Sequence, residues 1–263
     1  MFCATMINVS KELSIPTLVF YTSGVAFLGL VLHLHTLRER DNIDSDQLLQ
    51  LTELAVPSFT NSVPSKTLPT IVLRKEWESF FMNYAEGLKN ADDNIVNSFE
   101  ELEFYAVQSF LSHPGLFGLP IYLVGPLLNY ELKIDGTIDF VDVIKWLNDQ
   151  PISSVVFFYF GSRGSFDEDQ FKEIALAIEN SGARFVWFLH KPPSKGTMAL
   201  PSEYPFSDLD SVLPEGFLDQ MRDIGMVIRW APQVQILAHS AIGGFVSHCG
   251  WNLMLKSIYL AFL

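Results

Sequence analysis

Two short segments contain side chains that could bind an anionic ligand. The first, residues 161–165 (GSRGS), directly follows an apolar run at 153–160. Small residues in such a loop let backbone N–H groups approach an anion, and the serine hydroxyls add further donors. A tight turn that joins a strand to a helix and binds nothing would have the same pattern, so this loop alone does not define a site.

The second segment, residues 248–252 (HCGWN), lies between an apolar run at 243–247 and a final stretch that predicts a helix. Gly250 permits a sharp turn. Asn252 could cap the helix, whose N-terminus presents N–H groups and a partial positive charge and therefore suits an anion. A lone histidine more often has a buried structural role, but the place of His248 directly before this turn favours a contact with phosphate.

The elements that must position these segments alternate between strands and helices. Near-continuous apolar runs are typical of strands that are buried on both faces of a parallel sheet. The alternation predicts a doubly wound α/β fold, in which ligands bind beyond the carboxyl ends of the strands, where both segments lie. The predicted strands are 94–98, 122–124, 153–160, 184–189, 226–228 and 243–247, and the predicted helices are 8–13, 77–90, 100–111, 141–147, 168–180, 217–222 and 234–237.

Three other stretches depart from this alternation. Residues 36–75 and 192–214 are predicted to be irregular, because prolines interrupt them. Residues 17–34 approach the length and apolarity of a membrane span. The alternative is a buried strand at 17–21, a turn, and a helix that is apolar all round. Pro16 and the Thr-Ser-Gly break favour this alternative, so we predict no transmembrane segment.

Composition excludes several classes of protein. The chain has 263 residues, 49% of them hydrophobic, which is enough to bury a core. Its 17 Lys and Arg against 30 Asp and Glu give a net charge of -13, which argues against binding nucleic acid or an anionic membrane. Cys3 and Cys249 are too few for a disulfide framework or a cysteine zinc site. They fit a reducing compartment, and the opening residues lack signal-peptide features, so we predict a cytoplasmic location.

From position 230 onward the sequence WAPQVQILAHSAIGGFVSHCGWN resembles the signature box of plant family-1 UDP-glycosyltransferases. Five further segments are similar to the same family in the same order, so the resemblance covers essentially the whole chain. They are IVNSFEELE at 95–103, VGP at 124–126, WLNDQP at 146–151, VVFFYFGSRGSF at 155–166 and LPEGF at 213–217.

The resemblance implies the GT-B architecture, with two Rossmann-like domains and the active site between them. It implies transfer of a sugar, usually glucose, from a UDP-sugar to a hydroxyl of a small plant metabolite such as a flavonoid, phenol or terpenoid, with inversion at the anomeric carbon. It implies no cofactor and no metal, because the helix dipole and a histidine stabilise the leaving diphosphate.

The same resemblance assigns donor-site roles to residues at matching positions of the box. An aromatic face for the base and donors for the phosphates agree with this chemistry. The assignments are Trp230 (stacking on uracil), Ala231 (backbone on the base edge), Gln233 (ribose), His248 (diphosphate), Asn252 and Ser162 (phosphates), Trp251 (border of the sugar) and Gly250 (the turn between them).

Two positions within the box depart from the family. Leu253 stands where the family has a phosphate-binding Ser, and the lost hydroxyl should cost roughly 1.5–3 kcal/mol, although the backbone N–H would survive. Lys256 stands where the family has a Glu that accepts from both ribose hydroxyls, whereas a lysine can only donate. Lys256 could instead attract the diphosphate, so the sign of its effect stays open. We include both residues in the donor site.

The family pattern also extends beyond both ends of the sequence. The catalytic His and its Asp partner match positions upstream of Met1, and an acidic residue and a Gln that hold the sugar match positions beyond Leu263. We therefore expect a partial acceptor-side domain at 1–126, a linker at 127–143 and a partial UDP-sugar-binding domain at 144–263, with no catalytic residue present. These residues alone should be inactive, and a non-catalytic remnant with weak or no UDP binding is the alternative. His33 and His35 are interpreted as packing or rim residues and not as substitutes, with a His-x-His metal site as the alternative.

Overall fold

The chain is described by a computed structural model that covers residues 4–128, 138–161, 166–193, 200–229 and 232–261. It divides into two compact units, Met1–Leu127 and Leu128–Leu263. The first described helix of the second unit, α7 (Ile138–Asn148), begins inside the stretch that the sequence analysis interpreted as a linker. Aspartates interrupt the apolar pattern there, which is why the sequence predicted a helix only from residue 141. The interpretation of 1–126, 127–143 and 144–263 as partial domain, linker and partial domain stays a prediction.

The first unit is built on a three-stranded parallel sheet, with β4 (Asp93–Val96) in the middle and β1 (Leu18–Tyr21) and β5 (Ile121–Leu123) on either side. Its core is formed mainly by the sheet residues and three helices, which are α2 (Val25–Asp41), α5 (Glu78–Asn90) and α6 (Glu100–Ser112). Short 3₁₀ turns at Ser65–Thr67 and Lys75–Trp77 connect its smaller elements. The elements are α1 (Ala4–Glu12), β1 (Leu18–Tyr21), α2 (Val25–Asp41), α3 (Ser45–Gln50), β2 (Glu53–Leu54), β3 (Val63–Pro64), α4 (Thr70–Leu73), α5 (Glu78–Asn90), β4 (Asp93–Val96), α6 (Glu100–Ser112) and β5 (Ile121–Leu123).

The apolar stretch at 17–34 forms a strand, a turn and a helix, as predicted. Buried residues lie on every side of α2, because α5 and α6 pack against it. None of the helices in the described part of the chain combines the length and apolarity that a membrane crossing requires. The predicted burial of the strand is wrong, since Leu18 is 60% and Phe20 48% exposed. Within the described residues β1 pairs only with β4, so it lies at an edge of the sheet.

Two histidines of α2 were interpreted as packing residues. His35 is 2% exposed and His33 is partly buried, which fits that interpretation. Burial lowers the pKa of both imidazoles below the usual value. His35 Nδ1 lies 3.3 Å from Oε2 of Glu39 without forming a hydrogen bond.

The stretch at 36–75 is more regular than predicted. It contains the end of α2, the helices α3 and α4, and an antiparallel pair of β2 and β3. A capping box starts α3: Gln47 N–H donates to Oδ1 of Asp44 at 2.8 Å, and Asp44 N–H donates to Oε1 of Gln47 at 2.8 Å. Such a box satisfies two N–H groups that the helix itself leaves unpaired, so it stabilises the start of α3. The prolines of this stretch lie after α3 and do not interrupt it.

The second unit is built on a four-stranded parallel sheet in the order β8-β7-β6-β9. Large buried side chains such as Phe157, Phe171 and Trp187 fill the space between the sheet and its helices. The stretch predicted as a loop at 192–214 contains a helix, α9. The elements after α7 are β6 (Val155–Tyr159), α8 (Glu168–Ser181), β7 (Arg184–Phe188), α9 (Phe206–Val212), α10 (Phe217–Met221), β8 (Gly225–Ile228), α11 (Gln233–Leu237), β9 (Ile242–Ser247) and α12 (Trp251–Ala261).

Removal of the cap of α8 should lower the stability of this unit measurably. Gln170 N–H donates to Oδ1 of Asp167 at 3.0 Å, and Asp167 N–H donates back to Oε1 of Gln170 at 3.2 Å. We expect Asp167→Ala to cost about 1 kcal/mol of unfolding free energy, because it leaves an N–H of the first turn without its partner. Urea unfolding measures this loss. Asp169→Ala, an exposed acid in the same turn, is the control, and an equal loss in both variants would contradict the capping role.

Candidate functional site

The two segments that the sequence singled out follow neighbouring strands. β6 and β9 are parallel partners, and Tyr159 at the end of β6 lies opposite Ser247 at the end of β9. The residues that follow, Gly161 and His248, therefore meet at the same edge of the sheet. Ser162 and the rest of the first segment lie outside the described residues, as do Trp230 and Ala231.

The imidazole of His248 lies between the backbones of two glycines. A Cβ atom on Gly161 would lie 2.5 Å from Cε1 of His248, and one on Gly250 would lie 2.5 Å from Nε2. Real Cβ atoms do not approach a heavy atom this closely, so both positions require glycine if the ring stays where it is. Gly161 also has a φ of +88°, which a residue with a side chain adopts only with strain. The ring itself is exposed to solvent on its remaining side.

The turn before the last helix differs from its prediction in one respect. The residue with left-handed backbone is Cys249, with φ 55°, and not Gly250. Cys249 N–H donates to Oγ of Ser247 at 3.1 Å, which holds the turn. Gly250 is therefore needed for space beside His248 and not for its backbone angles.

The helix α12 begins directly after this turn. The carbonyl of Gly250 accepts from the N–H groups of Leu253 at 2.9 Å and Met254 at 3.0 Å. Gly250 thus precedes the first helical residue, and Asn252 lies one residue inside the helix and not at the predicted cap position. The aligned peptide dipoles of an 11-residue helix place a partial positive charge at this end, next to His248.

The side chain of Leu253 is turned into the core. It is 6% exposed and packs in the core cluster with residues of β6, β7 and α11. Its N–H is already bonded to Gly250, which corrects the expectation that this group remains for a phosphate. Trp251 is partly buried and Asn252 is exposed at the start of the helix.

Three side chains form a hydrogen-bonded chain at the same edge of the sheet. Lys256 Nζ donates to Oε1 of Gln233 at 3.0 Å, and Gln233 Nε2 donates to the hydroxyl of Tyr159 at 2.6 Å. Tyr159 ends β6, Gln233 begins α11, and Lys256 lies in the middle of α12. The ring of Tyr159 stacks on Phe188 with centroids 4.7 Å apart, so its hydroxyl is held in place. We name these three residues the 159–233–256 triad.

Burial changes the pKa values of Lys256 and Tyr159, the two ends of this triad. Loss of solvent lowers the pKa of Lys256 below the usual value for an ammonium. Burial raises the pKa of Tyr159, and the hydrogen bond from Gln233 opposes that change. Within the described part of the chain, no carboxylate forms an ion pair with Lys256. The edge therefore carries a half-buried positive group whose partner is a neutral amide.

Sequence reasoning missed Tyr159, which it assigned only to a strand. A tyrosine that ends an apolar strand has a polar tip that needs a partner, and this was the available signal. Its partner, Gln233, is 74 residues away in sequence, so spacing alone could not connect the two. Of the predicted donor-site residues in the described part, the structure brings Gln233, His248, Gly250, Trp251, Asn252 and Lys256 to the carboxyl edge of one sheet, with Leu253 turned into the core.

Each unit is built on a parallel sheet, and the second unit has ligand-compatible groups beyond the carboxyl ends of its strands, which is the arrangement of a Rossmann-like α/β unit. The sequence model described as "UDP-glucoronosyl and UDP-glucosyl transferase" matches residues 142–261. The chain belongs to this family of UDP-dependent glycosyltransferases. Its fold class is α/β of the GT-B type, as the sequence resemblance predicted.

Individual relatives agree with this assignment. The chain is 49% identical to UDP-glucose flavonoid 3-O-glucosyltransferase 6 of Fragaria ananassa, over 98% of this chain and 54% of the relative. It is 45% identical to anthocyanidin 3-O-glucosyltransferase 2 of Manihot esculenta, over 98% of this chain and 72% of the relative. A crystal structure of a UGT transferase from Siraitia grosvenorii in complex with UDP has a TM-score of 0.90 and 43% identity, over 98% of this chain and 56% of that one. The chain spans about half the length of most of the curated relatives it matches.

Proposed function

We propose that the second unit binds the UDP moiety of a UDP-sugar, and that the whole protein transfers the sugar to a hydroxyl of a small plant metabolite. Glucose is the sugar that we propose, because the names of the relatives specify it. The observation that carries this proposal is the His248 ring, which lies between Gly161 and Gly250 at the N-terminus of α12. A histidine donor, a positive helix end and closely approaching backbone together suit a diphosphate.

The names of the relatives support the identity of the substrates. One is a UDP-glucose flavonoid glucosyltransferase, another an anthocyanidin glucosyltransferase, and a similar crystal structure contains UDP. A flavonoid-type hydroxyl is therefore the acceptor that we propose. We also propose that the diphosphate is bound by His248 and the helix end with no metal, and that the protein acts in the cytoplasm.

A second candidate function is weak UDP binding without sugar transfer. Two observations favour weak binding: leucine at 253 has no hydroxyl for a phosphate and its side chain packs in the core, and Lys256 is already bonded to Gln233. Incubation with UDP-glucose and a flavonol separates the candidates. A glucoside product identified by mass spectrometry supports transfer, whereas UDP binding without product supports the second candidate.

Replacement of His248 should weaken UDP binding. We expect His248→Ala to raise the Kd for UDP about tenfold, because it removes a donor to a charged phosphate. Isothermal titration calorimetry of the chain with UDP, in buffer with and without EDTA, measures this change and any metal dependence. The control is Cys249→Ala, which changes an exposed side chain in the same turn. Equal affinity of His248→Ala and the unchanged chain would refute the role of His248, and a chain that binds no UDP would refute the proposed site.

A further inference from the structure

The edge of the first unit's sheet at β1 has backbone groups that point away from the sheet. The carbonyl of Thr17 accepts from an N–H of β4 at 3.3 Å, and the carbonyl of Tyr21 accepts from the N–H of Asn97, just after β4, at 3.2 Å. Because successive residues of a strand direct their N–H and C=O groups to opposite sides, Leu18 and Phe20 direct theirs away from β4. Within the described part of the chain, no strand lies on that side.

The side chains at this edge are apolar and exposed. Leu18 is 60% and Phe20 48% exposed, and together with Met6 of α1 they line a groove of about 430 Å³ beside the strand. Three more exposed apolar side chains lie between Met6 and the strand: Val9, Leu13 and Ile15. These six side chains present roughly 400 Å² of apolar surface, which is close to the apolar share of one side of a standard protein–protein interface.

Few of the features that protect edge strands from pairing are present in β1. Such strands usually contain charges, a bulge or an internal proline, or are very short. Residues 13–24 contain no Asp, Glu, Lys or Arg, and Pro16 lies before the strand, so the protection of β1 is its length of four residues. Two copies of this neutral segment can lie side by side without opposing like charges, although the whole chain has a net charge of -13.

The strand is complementary to itself in the antiparallel direction. A two-fold axis at Val19 places Leu18 opposite Phe20 of a second copy, and Phe20 opposite its Leu18. These are the residues whose backbone groups point outward, so each pair can exchange both of its N–H···O=C bonds. Opposite residues also share a face of the sheet, so each leucine packs against a phenylalanine. A contact of this kind uses the same surface on both copies and closes at two.

We propose that β1 is the interface of a homodimer, in which two copies of this chain pair their β1 strands antiparallel and join their three-stranded sheets. This inference goes beyond the proposed UDP site and does not depend on it. The strand is short and the apolar patch is of moderate size, so we expect a dimer with a Kd on the order of micromolar.

Sedimentation velocity over a series of protein concentrations measures this association. We expect a monomer–dimer equilibrium. We expect Phe20→Lys to raise the Kd of the dimer at least tenfold, because it places a charge in the apolar contact. The matched control is Phe104→Lys, which makes the same replacement at a phenylalanine of α6 that is 58% exposed, and it should leave the Kd unchanged. A chain that stays monomeric, an open-ended series of larger assemblies, or an unchanged Kd in Phe20→Lys overturns the proposal.

Hydrogen exchange tests the pairing without any substitution. The amides of Leu18 and Phe20 should exchange at least tenfold more slowly at protein concentrations well above the Kd than well below it. The amide of Val19 faces β4 and should be protected at both concentrations. A dimer in which the Leu18 and Phe20 amides exchange at the monomer's rate uses another surface and overturns the proposal. This measurement decides the question if Phe20→Lys fails to fold, and a loss of UDP binding in that variant would reveal such a failure.

Discussion

Glu103→Ala is expected to destabilise the first unit by about 3 kcal/mol or more, because one buried carboxylate caps the long helix α2. Glu103 is 9% exposed. Its Oε2 accepts from the N–H of Val25 at 2.8 Å, and its Oε1 accepts from the N–H of Ala26 at 2.9 Å. The N-cap residue of α2 is Gly24, which has no side chain that could accept hydrogen bonds from these N–H groups.

The cost should be high because the carboxylate has several buried partners. Ser98, which is fully buried, also donates from Oγ to Oε2 of Glu103 at 2.5 Å. Alanine would leave these donors without a partner in a largely buried site, and each such loss costs about 1–3 kcal/mol. The negative charge beside the positive end of a 17-residue helix would be lost as well.

Two measurements check this expectation. Guanidinium unfolding followed by circular dichroism gives the loss of stability, and hydrogen exchange of the Val25 and Ala26 amides reports on the cap itself. Glu101→Ala is the matched control, since it removes an exposed glutamate from the same first turn of α6. Similar exchange rates at both amides in the two variants would show that Glu103 does not cap α2.

Glu103 also shows where prediction from sequence ends. The sequence predicted a helix at 100–111, and the glutamates in its first turn suit the dipole of that helix. In the structure the backbone leaves helical geometry at Glu103, with φ -119° and ψ 30°, and its side chain reaches a different helix 78 residues earlier in the chain. Propensity and periodicity are local, so they located the element but could not identify a partner that the tertiary fold supplies.

The candidate site, too, was predictable from the sequence only in part. Strand ends are visible as apolar runs, so the sequence placed residues 161 and 248 beyond the carboxyl ends of strands in a parallel sheet. It did not predict that β6 and β9 are neighbours, and the meeting of the two residues depends on this pairing. The direction of the Gln233 amide could not be predicted, because it depends on Lys256 and Tyr159 arriving from two other elements. The resemblance assigned Gln233 to a ribose and gave no indication that its amide is already bonded at both ends.

One prediction was wrong although the sequence contains the pattern of a helix start. The capping pair of Asp44 and Gln47 has the spacing of a helix start, yet the prolines of the following stretch led to a prediction of irregular structure. Prolines end helices locally and do not prevent short ones between them. The edge position of β1 had no signal at all, since an apolar strand looks the same whether it has one neighbour or two.

Gly161→Ala should have the second large effect, on both stability and UDP binding. The new Cβ would lie 2.5 Å from Cε1 and 2.9 Å from Nε2 of His248, so the ring or the end of β6 must move. Alanine at a φ of +88° also adds roughly 1–2 kcal/mol of backbone strain. We expect a loss of about 2–3 kcal/mol in unfolding free energy and at least a tenfold higher Kd for UDP, the same as deletion of the His248 ring.

Gly182→Ala separates the two causes of this effect. Gly182 ends α8 with a φ of +62°, and a Cβ there would meet no atom within 4 Å. This variant therefore has a similar backbone strain, but its new Cβ does not contact His248. It should bind UDP normally and lose about 1 kcal/mol of unfolding free energy. Thermal unfolding and calorimetry on both variants give the comparison. If Gly182→Ala weakened UDP binding as much as Gly161→Ala, general destabilisation would explain both results, and the close packing of Gly161 against His248 would not determine the affinity.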